Sequence, residues 1–148
     1  MSGPTIKIQY LTNAYKRESP ETHDASQRIE LLAAIEDPIV LRPRERATIG
    51  TGLALELPSG WEAQIHPLPS MALAHGVTVL NSPGTIDPDY RGEVKVILIN
   101  LGERAVTIER GAPIAVMSFS QFTRVVLVKT EKLQGTERST RGLGSTGQ

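Results

Sequence analysis

The segment 81–93 holds the residues whose types and spacing are best suited to chemistry. It reads Asn-Ser-Pro-Gly-Thr-Ile-Asp-Pro-Asp-Tyr-Arg-Gly-Glu and joins two apolar runs through a tight polar turn. Main-chain N–H and C=O groups are fixed donors and acceptors, and Gly84 would let a ligand approach them closely. Asp87 adds a carboxylate, a group that can act as a general base. The same residue types are common in hairpin turns, so they also fit a purely structural turn.

The composition excludes several other chemistries. The 148-residue chain has no cysteine, which excludes disulfides, thiolate nucleophiles and cysteine-ligated metals. Sixteen Lys and Arg balance sixteen Asp and Glu, so we expect no nucleic-acid polymer and no membrane as partner. The N-terminus has no signal-peptide pattern, and no apolar run approaches membrane-spanning length. We therefore expect a cytoplasmic protein.

Apolar periodicity and turn residues predict the elements that position this segment. Alternating apolar residues predict half-buried strands over 6–10, 53–57, 61–65, 77–79 and 94–98. The β-branched run 125–128 predicts a buried strand. One short helix is predicted over 70–75, between two prolines and Gly76. Ten prolines and thirteen glycines break the chain at strand-length intervals, which is typical of a sandwich or jelly roll. The predicted class is all-β with at most one short helix.

The chain length and polarity predict one domain with a tail. We expect a single β domain over 1–133, large enough to bury a substantial core. Within it the polar stretch 12–28 is predicted to be a surface loop. From residue 134 to residue 148 there is almost nothing to bury, so this part is predicted to be a flexible arm.

The segment 81–93 resembles the nucleoside-binding hairpin of the trimeric dUTPase family. Flanking residues also fall at the family's spacing: 72–73, 75–77, 98–102 and 144–147. The resemblance extends over nearly the whole chain from about residue 25. It implies a dUTPase-like jelly-roll or β-clip domain, a homotrimer in which each site is assembled from three chains, and an arm that closes over a neighbouring site.

The resemblance also implies roles for single residues. Asp87 would be the catalytic residue, which orients and deprotonates the water that attacks the α-phosphate. Tyr90 would stack on the deoxyribose and exclude a 2′-hydroxyl. The uracil would be bound by the hairpin's main chain, with Asn81 holding the pocket and the backbone near Lys95 closing it. The implied nucleoside-binding residues are Asn81, Gly84, Thr85, Ile86, Tyr90 and Lys95.

A second group of residues is implied to hold the phosphates and magnesium. Arg138, Ser145 and Thr146 of the arm would contact phosphates, and Ser70 lies one position from the family's phosphate-binding serine. Glu30 takes the position of an aspartate that helps to hold Mg²⁺ through water. The implied ligand is a deoxyuridine nucleotide and the implied cofactor is Mg²⁺.

Several phosphate-contacting positions depart from the family's pattern. Leu68 and Pro69 stand in place of an arginine and a serine, and Val116 stands in place of a glutamine. In the arm, Leu143 replaces a phenylalanine. An arginine–phosphate hydrogen bond contributes roughly 1.5 to 3 kcal/mol, so losing one would lower catalytic efficiency about ten- to a hundredfold. Cations that could compensate are Arg28, His66 and Arg141.

Two functions remain open at this level. One is a dUTP diphosphatase with an impaired phosphate site, which forms dUMP and diphosphate with Mg²⁺. The other is a non-catalytic homologue that binds deoxyuridine nucleotides or a protein partner. A dCTP deaminase is disfavoured because Ile97 occupies the position of that family's catalytic glutamate. A jelly-roll protein that binds no nucleotide would leave the hairpin unexplained.

Overall fold

The computed structural model describes residues 3–15 and 28–142, which form an antiparallel β fold. The elements are β1 (Lys7–Tyr10), β2 (Ile29–Leu32), β3 (Ile39–Leu41), β4 (Arg46–Gly50), β5 (Leu53–Glu56), β6 (Trp61–Pro67), α1 (Pro69–His75), β7 (Val77–Val79), β8 (Gly84–Ile86), β9 (Lys95–Asn100), β10 (Val106–Ile108) and β11 (Pro113–Gln121). The predicted all-β class with one short helix is confirmed.

The strands are arranged in two main sheets and two ribbons. The larger sheet has the order β2-β11-β6-β8, and a three-stranded sheet has the order β4-β9-β7. The ribbons pair β1 with β5 and β10 with β3. Every pairing is antiparallel, and most join strands far apart in sequence.

The apolar alternation predicted from sequence defines the core. Successive strand residues point to opposite faces, so a strand with one buried face buries every second residue. β5 was predicted to be half-buried but is buried on both faces, at Leu53, Ala54 and Leu55. Burying one such side chain contributes roughly 1.5 to 3 kcal/mol. The predicted strand positions that are buried in one cluster include Leu53, Leu55, Leu57, Ala63, Ile65, Val77, Val79, Val94, Val96 and Leu98.

The predicted helix is also confirmed. α1 starts at Pro69, whose ring suits the first turn of a helix. It ends at Gly76, which has a φ of 68° and donates its N–H to the carbonyl of Ala72. A side chain at position 76 would also lie 2.7 Å from the backbone nitrogen of Gly102. Both the positive φ and this close approach require glycine.

The buried strand predicted over 125–128 is wrong. β11 ends at Gln121, and Phe122 makes a last backbone hydrogen bond to Gly60 at 3.0 Å. Beyond it the chain leaves the sheet, and Val126 and Leu127 are 89% and 92% exposed. The β-branched run favours a strand, but a strand also needs a neighbouring edge, and the described part of this chain provides none there.

The ends of the described ranges limit two sequence predictions. Residues 16–27 of the predicted surface loop and residues 143–148 of the predicted arm lie outside the described residues. Ala14, from the start of the loop, is buried and packs against Gly52. Residues 134–142 are exposed and contain no helix or strand. Within the described ranges, no helix has the length and apolar character needed to cross a membrane.

Asn100 is a fully buried polar residue at the end of β9. Its amide nitrogen donates to the carbonyls of Leu41 and Arg104, both at 2.8 Å. Its amide oxygen accepts from the N–H of Gly102 at 2.8 Å. The side chain therefore bonds three main-chain groups, and the bond to the carbonyl of Leu41 is fully buried.

We expect Asn100→Leu to lower the free energy of unfolding by about 3 kcal/mol, because buried groups without partners cost about 1 to 3 kcal/mol each. Urea denaturation followed by circular dichroism would measure it. Thr48→Val, at an exposed position of β4, is the control and should change stability by less than about 0.5 kcal/mol. Equal midpoints for the two variants would contradict this account of Asn100.

Candidate functional site

The segment that connects β7 to β9 links the two main sheets. At its base Val79 pairs with Leu98, and Leu80 donates its N–H to Ile97 at 2.9 Å. Further along, the segment leaves the three-stranded sheet and forms β8, which pairs with β6 of the larger sheet. The polar turn that follows β8 is therefore attached to both sheets. Such anchoring holds functional groups in place better than a free loop would.

A cavity of about 220 Å³ lies on this hairpin and is called the hairpin cavity below. The structure brings Asp87 to this cavity together with most of the predicted nucleoside-binding residues. The cavity is lined by Thr85, Ile86, Asp87, Tyr90, Glu93 and Lys95. It thus combines two carboxylates, one ammonium group, one aromatic ring and main-chain groups in a small volume.

β8 is an edge strand of the larger sheet. Its only strand neighbour among the described residues is β6, so one side of its main chain faces away from the sheet. An edge strand presents N–H and C=O groups that another molecule can use for hydrogen bonds. Gly84 on this strand is buried, and a Cβ atom there would lie 3.3 Å from the amide nitrogen of Asn81. Asn81 thus packs over Gly84 at the base of the hairpin, beside the predicted ligand site.

The ring of Tyr90 is held by two neighbouring residues. Its hydroxyl donates to the carbonyl of Glu93 at 3.0 Å. A Cβ atom at Gly92 would lie 2.6 Å from the Cζ atom of this ring. The ring therefore packs directly on Gly92, and the residue remains 43% exposed.

The turn that carries Asp87 is closed by hydrogen bonds of its own. Tyr90 donates its N–H to the carbonyl of Asp87 at 3.1 Å. The guanidinium of Arg91 donates to the carbonyls of Pro88 and Tyr90 at 2.6 and 3.2 Å. These contacts restrict the backbone on which the candidate catalytic carboxylate is placed.

Glu93 is a residue of the cavity to which sequence reasoning gave no role. Its carboxylate accepts from the N–H of Gly52 and from the amide of Asn13, both at 2.9 Å. Strand alternation could have indicated it, because Glu93 and Lys95 flank the buried Val94 and so point away from the core.

Glu30 lies on the opposite edge of the larger sheet. It pairs with Val116 of β11, which in turn pairs with His66 of β6, so the three residues form one row across the sheet. All three are half-buried, whereas Leu31 and Ile65 beside them are in the core. A ring nitrogen of His66 lies 3.1 Å from the hydroxyl of Ser118 on the same face.

The structure does not bring Glu30 to the hairpin cavity within one chain. Three strand spacings separate β2 from β8, which is about 14 Å. The pairing of Ile86 with Ala63 also places Ile86 three residues from the row that contains Glu30, about 10 Å along the strands. Ser70 follows the far end of β6, so it too lies away from the cavity.

The predicted phosphate-binding residues of the arm are only partly described. Arg138 is exposed, and its Nε atom donates to the carbonyl of Arg141 at 2.9 Å. Ser145 and Thr146 lie outside the described residues. The described residues also contain no group of three or more acidic or histidine side chains that could hold a metal ion without other ligands.

Fold and cavity together define an antiparallel β domain with a small-ligand site at a hairpin. Residues 32–147 match the family model described as dUTPase, and the chain belongs to that family. The hairpin cavity lies wholly within the matched residues, whereas Glu30 precedes them.

Two curated relatives carry the name deoxyuridine 5′-triphosphate nucleotidohydrolase. The protein of Hydrogenobaculum sp. is 53% identical over 116 residues, which cover 78% of this chain and 81% of the relative. The protein of Rickettsia canadensis is 45% identical over 147 residues, which cover 99% of both chains.

Solved structures of bacteriophage dUTPases share the fold. A variant of the Staphylococcus bacteriophage 80alpha dUTPase, solved with dUpNHpp, has a TM-score of 0.81 at 21% identity and covers 97% of this chain and 99% of its own. A dUTPase variant from phage phi11 of S. aureus, described with a structural Mg(II) ion, has a TM-score of 0.76 at 18% identity and covers 87% of this chain and 98% of its own.

We expect Gly92→Ala to displace the Tyr90 ring, because the new methyl group would overlap the ring's hydroxyl end. NMR of ring-labelled tyrosine, with the signal assigned by Tyr90→Phe, would show an altered chemical shift for Tyr90. Gly135→Ala is the matched control, because a Cβ atom at that position meets nothing within 4 Å. An unmoved Tyr90 signal would mean that the ring does not depend on Gly92.

Proposed function

We propose that this chain hydrolyses dUTP to dUMP and diphosphate. The observation that carries the proposal is the hairpin cavity, where the carboxylate of Asp87 lies beside the ring of Tyr90 and the edge strand β8. Membership of the dUTPase family and the names of the full-length relatives support it.

The nucleoside would be recognised mainly by the main chain. The free side of β8 offers alternating donors and acceptors, which suit the hydrogen-bonding edge of a uracil. Thr85 and Ile86 would lie beside the base, and Asn81, packed over the buried Gly84, would support the base of the hairpin. Tyr90 would lie against the deoxyribose. With the ring in contact with the sugar, there would be no room for a 2′-hydroxyl. The backbone near Lys95 would close the cavity.

Asp87 would act on the water. Its carboxylate would accept a proton from a water molecule while the water oxygen bonds to the α-phosphorus and the bond to the diphosphate oxygen breaks. The products are dUMP and diphosphate. A positioned general base of this kind contributes about 10²- to 10⁴-fold to the rate.

Magnesium fits these residues only as an ion that the protein and the substrate phosphates bind together. Mg²⁺ usually keeps several waters and is bound through one or two carboxylates plus substrate phosphates. Glu30, acting through water, would supply such a carboxylate. A larger acidic cluster is not required, and residues 3–15 and 28–142 contain none. When bound, the ion would neutralise phosphate charge during the reaction.

A homotrimer would bring the nucleoside-binding residues of one chain together with the phosphate- and magnesium-binding residues of its neighbours. Glu30 and Ser70 are too far from Asp87 within one chain, so a neighbouring chain would have to supply them. The exposed apolar run 125–128 and Leu133 supports such an assembly, because large apolar side chains in a contiguous run mark interaction surfaces. We further propose that residues 1–133 form the domain and that the arm 134–148 closes over a neighbour's site, with Arg138, Ser145 and Thr146 on the phosphates.

Hydrolysis would be impaired because fewer side chains can contact the phosphates. Val116 occupies the centre of the row between Glu30 and His66, where no polar side chain is available to a phosphate. Leu68 and Pro69 precede Ser70 with no side-chain donor, and proline has no backbone N–H either. The same apolar positions favour the second candidate, a non-catalytic homologue that binds deoxyuridine nucleotides or a protein partner.

We expect Asp87→Asn to lower the rate of diphosphate release from dUTP by about 10²- to 10⁴-fold, because the amide cannot accept the proton. A coupled diphosphate assay with Mg²⁺ would measure the rate, and calorimetry should show that dUMP still binds within a fewfold. Asp37→Asn, at an exposed position in the β2–β3 turn, is the control. Wild-type protein that binds dUTP without turnover would instead establish the non-catalytic function.

A mixing experiment tests the shared site. Asp87→Asn and Arg138→Ala are each expected to be nearly inactive alone. Trimers that contain both variants should recover about one third of wild-type activity, because one of their three sites then combines an intact Asp87 from one chain with an intact Arg138 from a neighbour. Co-expression with two different affinity tags would isolate the mixed assemblies. No recovery, or a monomeric mass by light scattering, would contradict a site shared between chains.

A further inference from the structure

Glu93 connects three separate parts of the chain at the hairpin cavity. Its carboxylate oxygen accepts from Gly52, in the turn between β4 and β5, and from Asn13, in the N-terminal segment. Its carbonyl oxygen accepts from the hydroxyl of Tyr90. The residue that receives the Tyr90 hydroxyl is thus itself tied to two elements outside the hairpin.

The surroundings of this carboxylate leave little freedom for it to move. A Cβ atom at Gly50 would lie 2.5 Å from its Oε1 atom, so the carboxylate occupies the space that a side chain there would fill. Gly52 has a φ of 68° and packs against Ala14, which is buried. These glycines let the N-terminal segment and the β4–β5 turn approach Glu93 closely enough to donate both hydrogen bonds.

The N-terminal segment is held independently of Glu93. β1 pairs with β5 through four residues, and Leu11 donates its N–H to the carbonyl of Gly52 at 2.7 Å. Arg110 donates to the carbonyls of Asn13 and Ile35 at 3.1 and 2.9 Å. Asn13 is therefore a fixed donor, and its position does not depend on the hairpin.

We infer that Glu93 is a positioning residue that sets the Tyr90 ring, and with it the sugar specificity of the hairpin cavity. An exposed tyrosine with no anchor would sample several rotamers. Here the hydroxyl donates to the carbonyl of Glu93, and the carboxylate of Glu93 accepts from Gly52 and Asn13. The ring is therefore linked to the β1–β5 ribbon, which restricts its motion. The inference rests on the proposed function, since it names what controls the choice between deoxyribose and ribose at that site.

The test compares Glu93→Ala with Glu93→Gln. The glutamine oxygen can still accept from Gly52 and Asn13, so this variant should keep the KM for dUTP within about twofold of wild type. The alanine variant should raise the KM for dUTP, and lower the preference for dUTP over UTP in kcat/KM, by about tenfold each, with kcat little changed. Asn13→Ala should act in the same direction more weakly, although Asn13 does not line the cavity.

Glu56→Ala provides the matched control. Glu56 is an exposed glutamate that bonds Lys7 at 2.8 Å, and this hydrogen bond lowers the pKa of its carboxyl. Its removal should leave the preference between dUTP and UTP unchanged. A Glu93→Ala protein with the wild-type preference, or a loss that Glu93→Gln reproduces in full, would overturn the inference.

A second measurement separates this inference from the proposed function. In Glu93→Ala the Gly52 amide should exchange with solvent about tenfold or more faster by NMR, and the ring signal of Tyr90 should shift, whether or not any nucleotide binds. Wild-type protein that neither binds nor hydrolyses dUTP would refute the proposed function. An unchanged Gly52 exchange rate together with an unmoved Tyr90 signal would refute the positioning role.

Discussion

The pairing of β8 with β6 is the interaction on which the site depends. The chain leaves the three-stranded sheet after β7, contributes three residues to the edge of the larger sheet, and returns as β9. This detour fixes the turn that carries Asp87 at both ends. Among residues 3–15 and 28–142 it also leaves one side of β8 without a strand neighbour, so the main chain on that side is open to another molecule.

Glycine at a few positions makes the site compact. Gly84 is buried under Asn81, and Gly92 lies under the ring of Tyr90. Gly50 leaves room for the carboxylate of Glu93. At Gly92 and Gly50 the absent side chain is replaced by a group that lines the cavity, Tyr90 and Glu93 respectively. The hydrogen bonds of Glu93 then join this cavity to the β4–β5 turn and the N-terminal segment.

The two halves of the expected site have different structural bases. Asp87 and Tyr90 belong to one short turn, so neighbours in sequence are neighbours in space. Glu30 and His66 share a row because β2, β11 and β6 are adjacent, although the residues are far apart in sequence. Val116 between them is apolar. The residues of the hairpin cavity thus come mainly from one short segment, whereas the row is assembled from three strands.

Local sequence patterns were sufficient to predict those elements whose packing in the fold agrees with the pattern. The alternation of Leu53, Leu55 and Leu57 predicted a buried strand face, and the prolines before Gly76 predicted a helix of barely two turns. The same reasoning failed at 125–128, where β-branched residues are exposed because no strand edge meets them within the described chain. Propensity describes what a segment favours, and it does not supply the neighbour that a strand requires.

The sequence by itself determined the all-β class, because apolar alternation and turn residues indicate strands. It also located the segment that contains Asp87 and Tyr90, because the ordered residues of that segment carry the resemblance to the dUTPase family. Only the tertiary structure decided that Glu93 holds the Tyr90 hydroxyl, that Asn13 reaches Glu93, and that Glu30 lies on the far edge of the sheet from the cavity. The physical reason is that these relations depend on which strands pair and in which register. Pairing between distant segments is set by the packing of the whole core rather than by any short stretch of residues.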